Sequence, residues 1–235
     1  MHPGPLVRRL FGPYEHGVAE AYRKIFVDLD ELAGLMNTWV PKAHKILEVG
    51  CGEGAMTERI TRLYPAAAVT AIDITPNVGR LFRGKTSSVK FYQESVENIA
   101  AKEPGSFDLV ILADVIHHVP AEARRSLLSA IAQAMAPAGS LIFKDWVVSS
   151  SPIHWLCLMS DRYLTGDDVV YCTMGGINTL VADIFGPETI RQVDTVRPWR
   201  NNVAVHVTRS QHGIHEASDQ DLAIARTGAP QGMSV

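Results

Sequence analysis

Lys45-Ile46-Leu47-Glu48-Val49-Gly50-Cys51-Gly52-Glu53-Gly54 is a short apolar run that stops in alternating glycines. Ile46, Leu47 and Val49 suit a strand covered on both faces, and the three glycines remove the Cβ atoms that would hold a ligand off the backbone. Met56, Ile60 and Leu63 then recur at helical spacing. The loop therefore opens a helix whose N-terminal amides point back at the strand end, a place suited to a nucleotide-type ligand. A glycine-rich turn by itself also serves as a plain tight connection. Asp73 supplies the context: it ends a second apolar run, Ala68 to Asp73, about twenty residues beyond the glycines, where an open α/β sheet sets a carboxylate against ribose hydroxyls.

The chain has 235 residues, enough for one α/β domain with a substantial core and too few for two large ones. A net charge of -3 and the absence of a long Lys/Arg run exclude a nucleic-acid footprint. No apolar segment reaches the roughly twenty residues that span a bilayer, and Met1 to Pro5 lacks the core of a signal peptide, so no membrane partner is expected. Cys51, Cys157 and Cys172 are three and cannot all pair, which points to the cytoplasm.

Along the chain, Ala21, Ile25, Leu29 and Leu32 predict one amphipathic helix over 17–33. From Lys45 strand and helix alternate, which implies parallel strands with helices on both faces. Ser88 to Gln93 reads as the third strand, Phe107 to Ala113 as the fourth, Pro120 to Met135 as a helix and Ser140 to Trp146 as the fifth strand. The segment 147–186 breaks the alternation with two short helical stretches rich in aromatic and sulfur side chains. It suits a pocket for an apolar acceptor, ordinary packing or a dimer surface. Glu188 to Val196 and Asn202 to Arg209 are predicted as a closing antiparallel hairpin. Residues 211–235 have few large apolar side chains and are expected to be a mobile tail.

The glycine spacing, Asp73 and the stretch from Phe107 to Val119 (FDLVILADVIHHV) together resemble the class I family of S-adenosylmethionine-dependent methyltransferases, clearly from Lys45 to Trp146 and loosely elsewhere. A nicotinamide enzyme more often shows Gly-x-Gly-x-x-Gly; here the third glycine comes one residue earlier, as that family has it. The resemblance implies an α/β, Rossmann-like, seven-stranded, mostly parallel sheet with an antiparallel last strand and helices on both faces. It implies a helical lid over 1–40 and a domain over 41–210, within which the break in alternation is read as a helical cap inserted at 147–186 before the last two strands. It also implies S-adenosylmethionine as cofactor, S-adenosylhomocysteine as product, and Glu48, Gly50, Cys51, Gly52, Gly54, Asp73, Ile74, Glu94, Ser95, Ala113 and Asp114 around them. Glu94 and Ser95 stand where the family contacts adenine, although Glu94 equally suits a helix start. Ala113 offers a carbonyl for the methionine amino group, with Asp114 adding charge.

The expected activity is methyl transfer to the oxygen, nitrogen or carbon of a small organic acceptor, in a setting such as bacterial specialised metabolism. The protein must align the acceptor, exclude water and remove a proton. His118 is the expected general base and His117 the second choice, because imidazole titrates near neutrality; helix-start packing is the structural alternative for either. Tyr14, Tyr22, Lys144, Asp145, Trp146, Trp155 and Tyr163 are the expected acceptor contacts, with Lys144 and Asp145 equally suited to pairing with each other. A metal-assisted O-methyltransferase with Asp114, His118 and Asp145 as ligands ranks lower for want of a close ligand spacing, so no metal is expected. A non-catalytic S-adenosylmethionine-binding protein acting through its cap is the alternative from another class. Methylation of a nucleic-acid base is disfavoured, since Asp114-Val115-Ile116-His117 replaces the Asn/Asp-Pro-Pro-aromatic motif of those enzymes.

Overall fold

The structure, a computed structural model, describes residues 12–160 and 169–209. Tyr163 and the 211–235 tail lie outside the described residues. The sheet comprises β1 (Lys45–Val49), β2 (Ala68–Asp73), β3 (Val89–Gln93), β4 (Phe107–Ala113), β5 (Met135–Trp146), β6 (Ile190–Thr195) and β7 (Asn202–Thr208). They lie in the order β3-β2-β1-β4-β5-β7-β6. β1 to β5 run parallel, and β7 is antiparallel to both β5 and β6. The predicted strands differ from these by a residue or two at their ends, except that β5 begins at Met135, five residues before the expected Ser140.

Alternation along the strands divides the core. Leu47, Val49, Val110, Leu112 and Val205 face one side, where α4 (Val96–Lys102), α5 (Ala121–Ala134) and α7 (Met174–Phe185) cover them with Ile99, Leu128, Ile131, Ile177 and Val181. Ile46, Leu109, Ile111 and Ala204 face the other, covered by α2 (Leu29–Trp39) and α3 (Ala55–Leu63) through Leu32, Met36, Met56 and Ile60. A sheet apolar on both faces has to be covered on both, which is why β1 and β4 read as near-continuous apolar runs. α7, in the 147–186 segment, thus belongs to the sheet-covering layer. Among the described residues of that segment, α6 (Pro152–Ser160) forms a separate patch, with Ile153 and Cys157 packed on Trp146 and Tyr171 beside them.

The single helix predicted over 17–33 is two helices, α1 (Glu15–Phe26) and α2. Val27 is extended, and Asp28 Oδ1 accepts from the amides of Asp30 at 3.1 Å and Glu31 at 3.0 Å. An acid inside an apolar period is here a cap that starts a new helix. The end of α1 is caught by the β6–β7 hairpin: Trp199 Nε1 donates to the Ile25 carbonyl at 2.6 Å and Asn202 Nδ2 to that of Phe26 at 2.5 Å. These donors satisfy carbonyls that a helix end leaves unpaired. Ion pairs tie α1 to the glycine-loop side, Arg59 to Glu20 at 2.5 Å and Arg80 to Glu15 at 2.6 Å, with Glu53 sharing Arg80 at 2.6 Å. The fold so places α1 across the carboxyl ends of the strands.

Candidate active site

After Val49 the chain turns through Gly50, at φ 73°, and Gly52, at φ 51°. A Cβ on Gly50 would stand 2.3 Å from Val115 Cγ2, so the segment after β4 packs directly on that backbone. At Gly52 a Cβ would meet no atom within 4 Å, because this glycine borders a cavity. The amide of Gly52 donates to Asp73 Oδ2 at 2.8 Å, and Asp73 Oδ1 accepts from the amide and hydroxyl of Thr75 at 2.8 and 2.6 Å. One carboxylate thereby ties the loop after β1 to the loop after β2. The cavity they frame measures about 390 Å³ and is lined by Gly50, Gly52, Asp73, Ile74, Glu94 and Ser95, with Asp114, Val115 and His118 at its far wall.

Glu94 stands both on the cavity wall and at a helix start. It lines the cavity and anchors the start of α4, accepting from Asn98 Nδ2 at 2.6 Å, Lys102 Nζ at 2.8 Å and the Ser95 amide at 3.1 Å. These donors, Asn98 first, hold its carboxyl down to about 2. Four other expected contacts do not line this cavity. Glu48 lies under the loop with Oε2 accepting from Thr57 at 2.7 Å, and burial, eased by Thr57 and reinforced by Asp73, pushes its carboxyl up to about 7. The Cys51 thiol points into the apolar layer beneath α3, where burial raises its pKa. Gly54, at φ 94°, shapes the start of α3, and Ala113 is half-buried behind the cavity wall. A strand residue and its neighbour face opposite ways, so a motif read as a string mixes residues that face the ligand with residues that face the core.

A second cavity, of about 280 Å³, adjoins the first. Tyr22, Arg23 and Phe26 of α1 meet Trp146 of β5, Cys157 of α6 and Tyr171 around it, and Asp114, His117 and His118 close it. Asp114 and His118 thus border both cavities. Asp114 sits at φ 57°, and Oδ1 accepts from Lys144 Nζ at 2.5 Å. Lys144 itself is 0% exposed, so it acts as an internal counter-ion and makes no acceptor contact.

Asp145 is likewise 0% exposed. Its Oδ2 accepts from the amides of Ile116 at 2.9 Å and His117 at 3.3 Å, and its Oδ1 from the Trp146 amide at 2.7 Å and His117 Nδ1 at 2.5 Å. Burial alone would raise its pKa, but His117, Lys144 and the Trp146 amide outweigh that and hold it below the ordinary carboxylate range. An ionised carboxylate only accepts hydrogen bonds, so Nδ1 of His117 carries the proton and the basic lone pair of the neutral ring is on Nε2. The expected pairing of Lys144 with Asp145 is replaced by two separate pairs, Lys144–Asp114 and Asp145–His117.

Tyr22 and Trp146 line the second cavity, while Asp145 stands behind it. Trp155 and Tyr14, at 66% and 76% exposure, are turned to solvent and line neither cavity. Phe26 is the addition that residue reading missed. Its signal was there, four residues after Tyr22 on one helix face; the two rings are 5.2 Å apart, edge to face. Tyr171 stacks on His117 with centroids 5.0 Å apart and 24° between planes. Asp114, His117 and Asp145 present ligand-type atoms within 4.8 Å of one another, with His117 where His118 was expected. The donors of Asp145 and the ammonium on Asp114 already occupy that cluster, which a divalent cation would have to displace.

Residues 46–139 match a family described as a methyltransferase domain. The ubiquinone biosynthesis O-methyltransferase of Xanthomonas campestris is 40% identical over 101 residues, covering 41% of this chain and 41% of that one. The shared part is therefore under half of those relatives' length. Among solved structures, an O-methyltransferase family protein from Burkholderia thailandensis superposes with a TM-score of 0.64 at 15% identity, over 88% of this chain and 60% of that one. A 1,6-didemethyltoxoflavin N1-methyltransferase from the same organism, solved with its acceptor and S-adenosylhomocysteine, gives 0.61 at 15% identity over 88% of both chains. At such identities the likeness establishes the fold, while the match at 46–139 assigns the domain. The strand order, the glycine turn and that match together mark residues 46–139 as a methyltransferase domain on a Rossmann-like sheet.

Proposed function

We propose that the chain transfers a methyl group from S-adenosylmethionine to a hydroxyl of a small aromatic acceptor, with His117 as the general base. The observation that carries this reading is the pair of cavities meeting at Asp114 and His118, the second of which contains a buried imidazole oriented by a carboxylate. The first cavity fits the cofactor by its glycine wall, open at Gly52, and by Asp73 and Glu94 as acceptors for hydroxyl and amino groups. When bound, S-adenosylmethionine supplies a methyl already activated on a sulfonium. Tyr22, Phe26, Trp146 and Tyr171 hold a planar acceptor between them and keep water out. The hydroxyl proton of the acceptor would pass to His117 Nε2, and Asp145 would stabilise the imidazolium that results. This exchanges the roles expected of the two histidines: His118, exposed at the shared wall, orients ligands, and His117 is the base. α1 is the lid of this reading, and an odd count of three cysteines supports a reducing, cytoplasmic setting; among the described residues no helix is long and apolar enough to cross a membrane.

The test pairs binding with turnover. Calorimetry is expected to show S-adenosylhomocysteine binding, and a panel of catechols and hydroxybenzoates with methyl-labelled cofactor is expected to yield at least one methyl ether. His117→Gln is expected to lower kcat by about 10²- to 10⁴-fold with cofactor affinity retained, and His118→Gln by less. Normal turnover of the His117 variant, or binding of a nicotinamide dinucleotide in place of S-adenosylhomocysteine, would overturn the reading.

A further inference from the structure

Arg124 lies on α5, outside both cavities, and is 7% exposed. Its guanidinium makes three contacts in three directions. Nε donates to the Val119 carbonyl at 2.9 Å, Nη2 to the Val170 carbonyl at 2.5 Å, and Nη1 to Cys172 Sγ at 2.9 Å. Val119 directly follows His118, while Val170 and Cys172 flank Tyr171 on both sides. One planar fork, with its donors fixed relative to one another, therefore ties the histidine turn to the segment that carries Tyr171, 46 and 48 residues further on. Backbone bonds complete the attachment: the Val170 amide donates to the His117 carbonyl at 3.0 Å, and the Val148 amide to the Cys172 carbonyl at 2.9 Å. Between these anchors the Tyr171 ring stacks on His117 and meets His154 edge to face at 5.0 Å.

From this geometry we infer that Arg124 is a positioning residue for the acceptor: it fixes the Tyr171 ring against His117 and so sets the aromatic wall of the second cavity. The inference rests on the function proposed above for its kinetic consequences, but the geometry it asserts concerns Arg124 and Tyr171 alone. The type of residue matters. Val170 and Cys172 are two residues apart on a segment whose regular pairing is one isolated bridge from Cys172 to Val147, and the fork adds a hold on both. Lysine, with one ammonium on a flexible stem, cannot span a carbonyl on one side of the fork and a carbonyl and a sulfur on the other. Burial of the guanidinium among these acceptors removes solvent as a competitor, which makes the three bonds directional constraints.

The experiment uses the full chain saturated with S-adenosylhomocysteine and compares Arg124→Gln, Arg124→Lys and Tyr171→Leu. In histidine ring NMR spectra, with the His117 signal assigned through His117→Gln, loss of the Tyr171 ring moves that signal. Arg124→Gln is expected to move it in the same direction, and Arg124→Lys by an intermediate amount. With the best phenol of the panel as acceptor, Arg124→Gln is expected to raise the acceptor KM about tenfold, with kcat within threefold and S-adenosylhomocysteine affinity within twofold. The Arg124→Gln/Tyr171→Leu pair is expected to be no worse than Tyr171→Leu alone, since both act through one ring. An unmoved His117 signal in the arginine variants, or KM effects that multiply in the pair, would overturn the inference. Should Arg124→Gln unfold, Arg124→Lys decides by the same two readouts. Should the wild type methylate no phenol, the proposed function fails while the NMR comparison still judges Arg124.

Discussion

The two cavities are built in opposite ways. The first comes from consecutive residues at strand ends: Gly50 and Gly52 after β1, Asp73 and Ile74 after β2, Glu94 and Ser95 after β3. Parallel strands deliver their carboxyl ends to one edge of the sheet, so each short motif lands beside the next without help. The second is assembled from α1, the end of β5, α6 and Tyr171, held by long-range contacts such as Trp199 to the Ile25 carbonyl and Arg124 to that of Val170. One cavity is a property of the sheet. The other is a property of what has been packed over it, and can change while the sheet stays the same.

The comparison can be broken most sharply at the shared wall. Asp145→Asn is expected to lower kcat by about 10²- to 10⁴-fold, because an amide returns a donor toward His117 Nδ1 and displaces the basic lone pair from Nε2. S-adenosylhomocysteine affinity, measured by calorimetry, is expected to stay within about threefold. A large loss of cofactor affinity would show that the two cavities are not separable.

Gly50→Ala acts on the sheet side. Its φ of 73° and the Val115 methyl 2.3 Å from the added Cβ combine a left-handed backbone, costing about 1 to 2 kcal/mol, with overpacking, costing about 1 to 3 kcal/mol. Thermal unfolding with and without S-adenosylhomocysteine is expected to show a less stable protein that binds the ligand at least tenfold more weakly. Unaltered binding would remove this turn from the cofactor site.

Glu48 sharpens the distinction between lining a site and supporting it. Folding raises its carboxyl from 4.5 to about 7, so the native state holds this proton more tightly than the unfolded chain. The resulting stabilisation is complete below about 4.5 and is lost as pH rises through 7, on the order of 3 kcal/mol in all. Glu48→Gln, which cannot ionise, is expected to flatten the stability profile across that window in denaturant titrations. An unchanged slope would assign the pH dependence elsewhere.

The smallest effect is expected at Trp155. Though an aromatic residue of the 147–186 segment, it is turned to solvent, and Trp155→Ala is expected to change stability by less than about 0.5 kcal/mol and acceptor KM by less than twofold. A tenfold rise in KM would place it in the acceptor wall after all.

The sequence by itself determined the sheet, the glycine turn and the carboxylates at Asp73 and Glu94, because each rests on local rules: period-two burial, backbone room at glycine, and acids at strand ends. It also named both histidines and Asp145, but only tertiary structure showed that His117 is the one bonded to Asp145. The His117 turn and the Asp145 strand end are 28 residues apart, and their hydrogen bond exists because β4 and β5 are adjacent and parallel. The break at Asp28, the outward turn of Trp155, the burial of Lys144 and the assignment of α7 to the core were settled in the same way. Which way a side chain faces depends on what packs against its element, and that is decided by residues far along the chain.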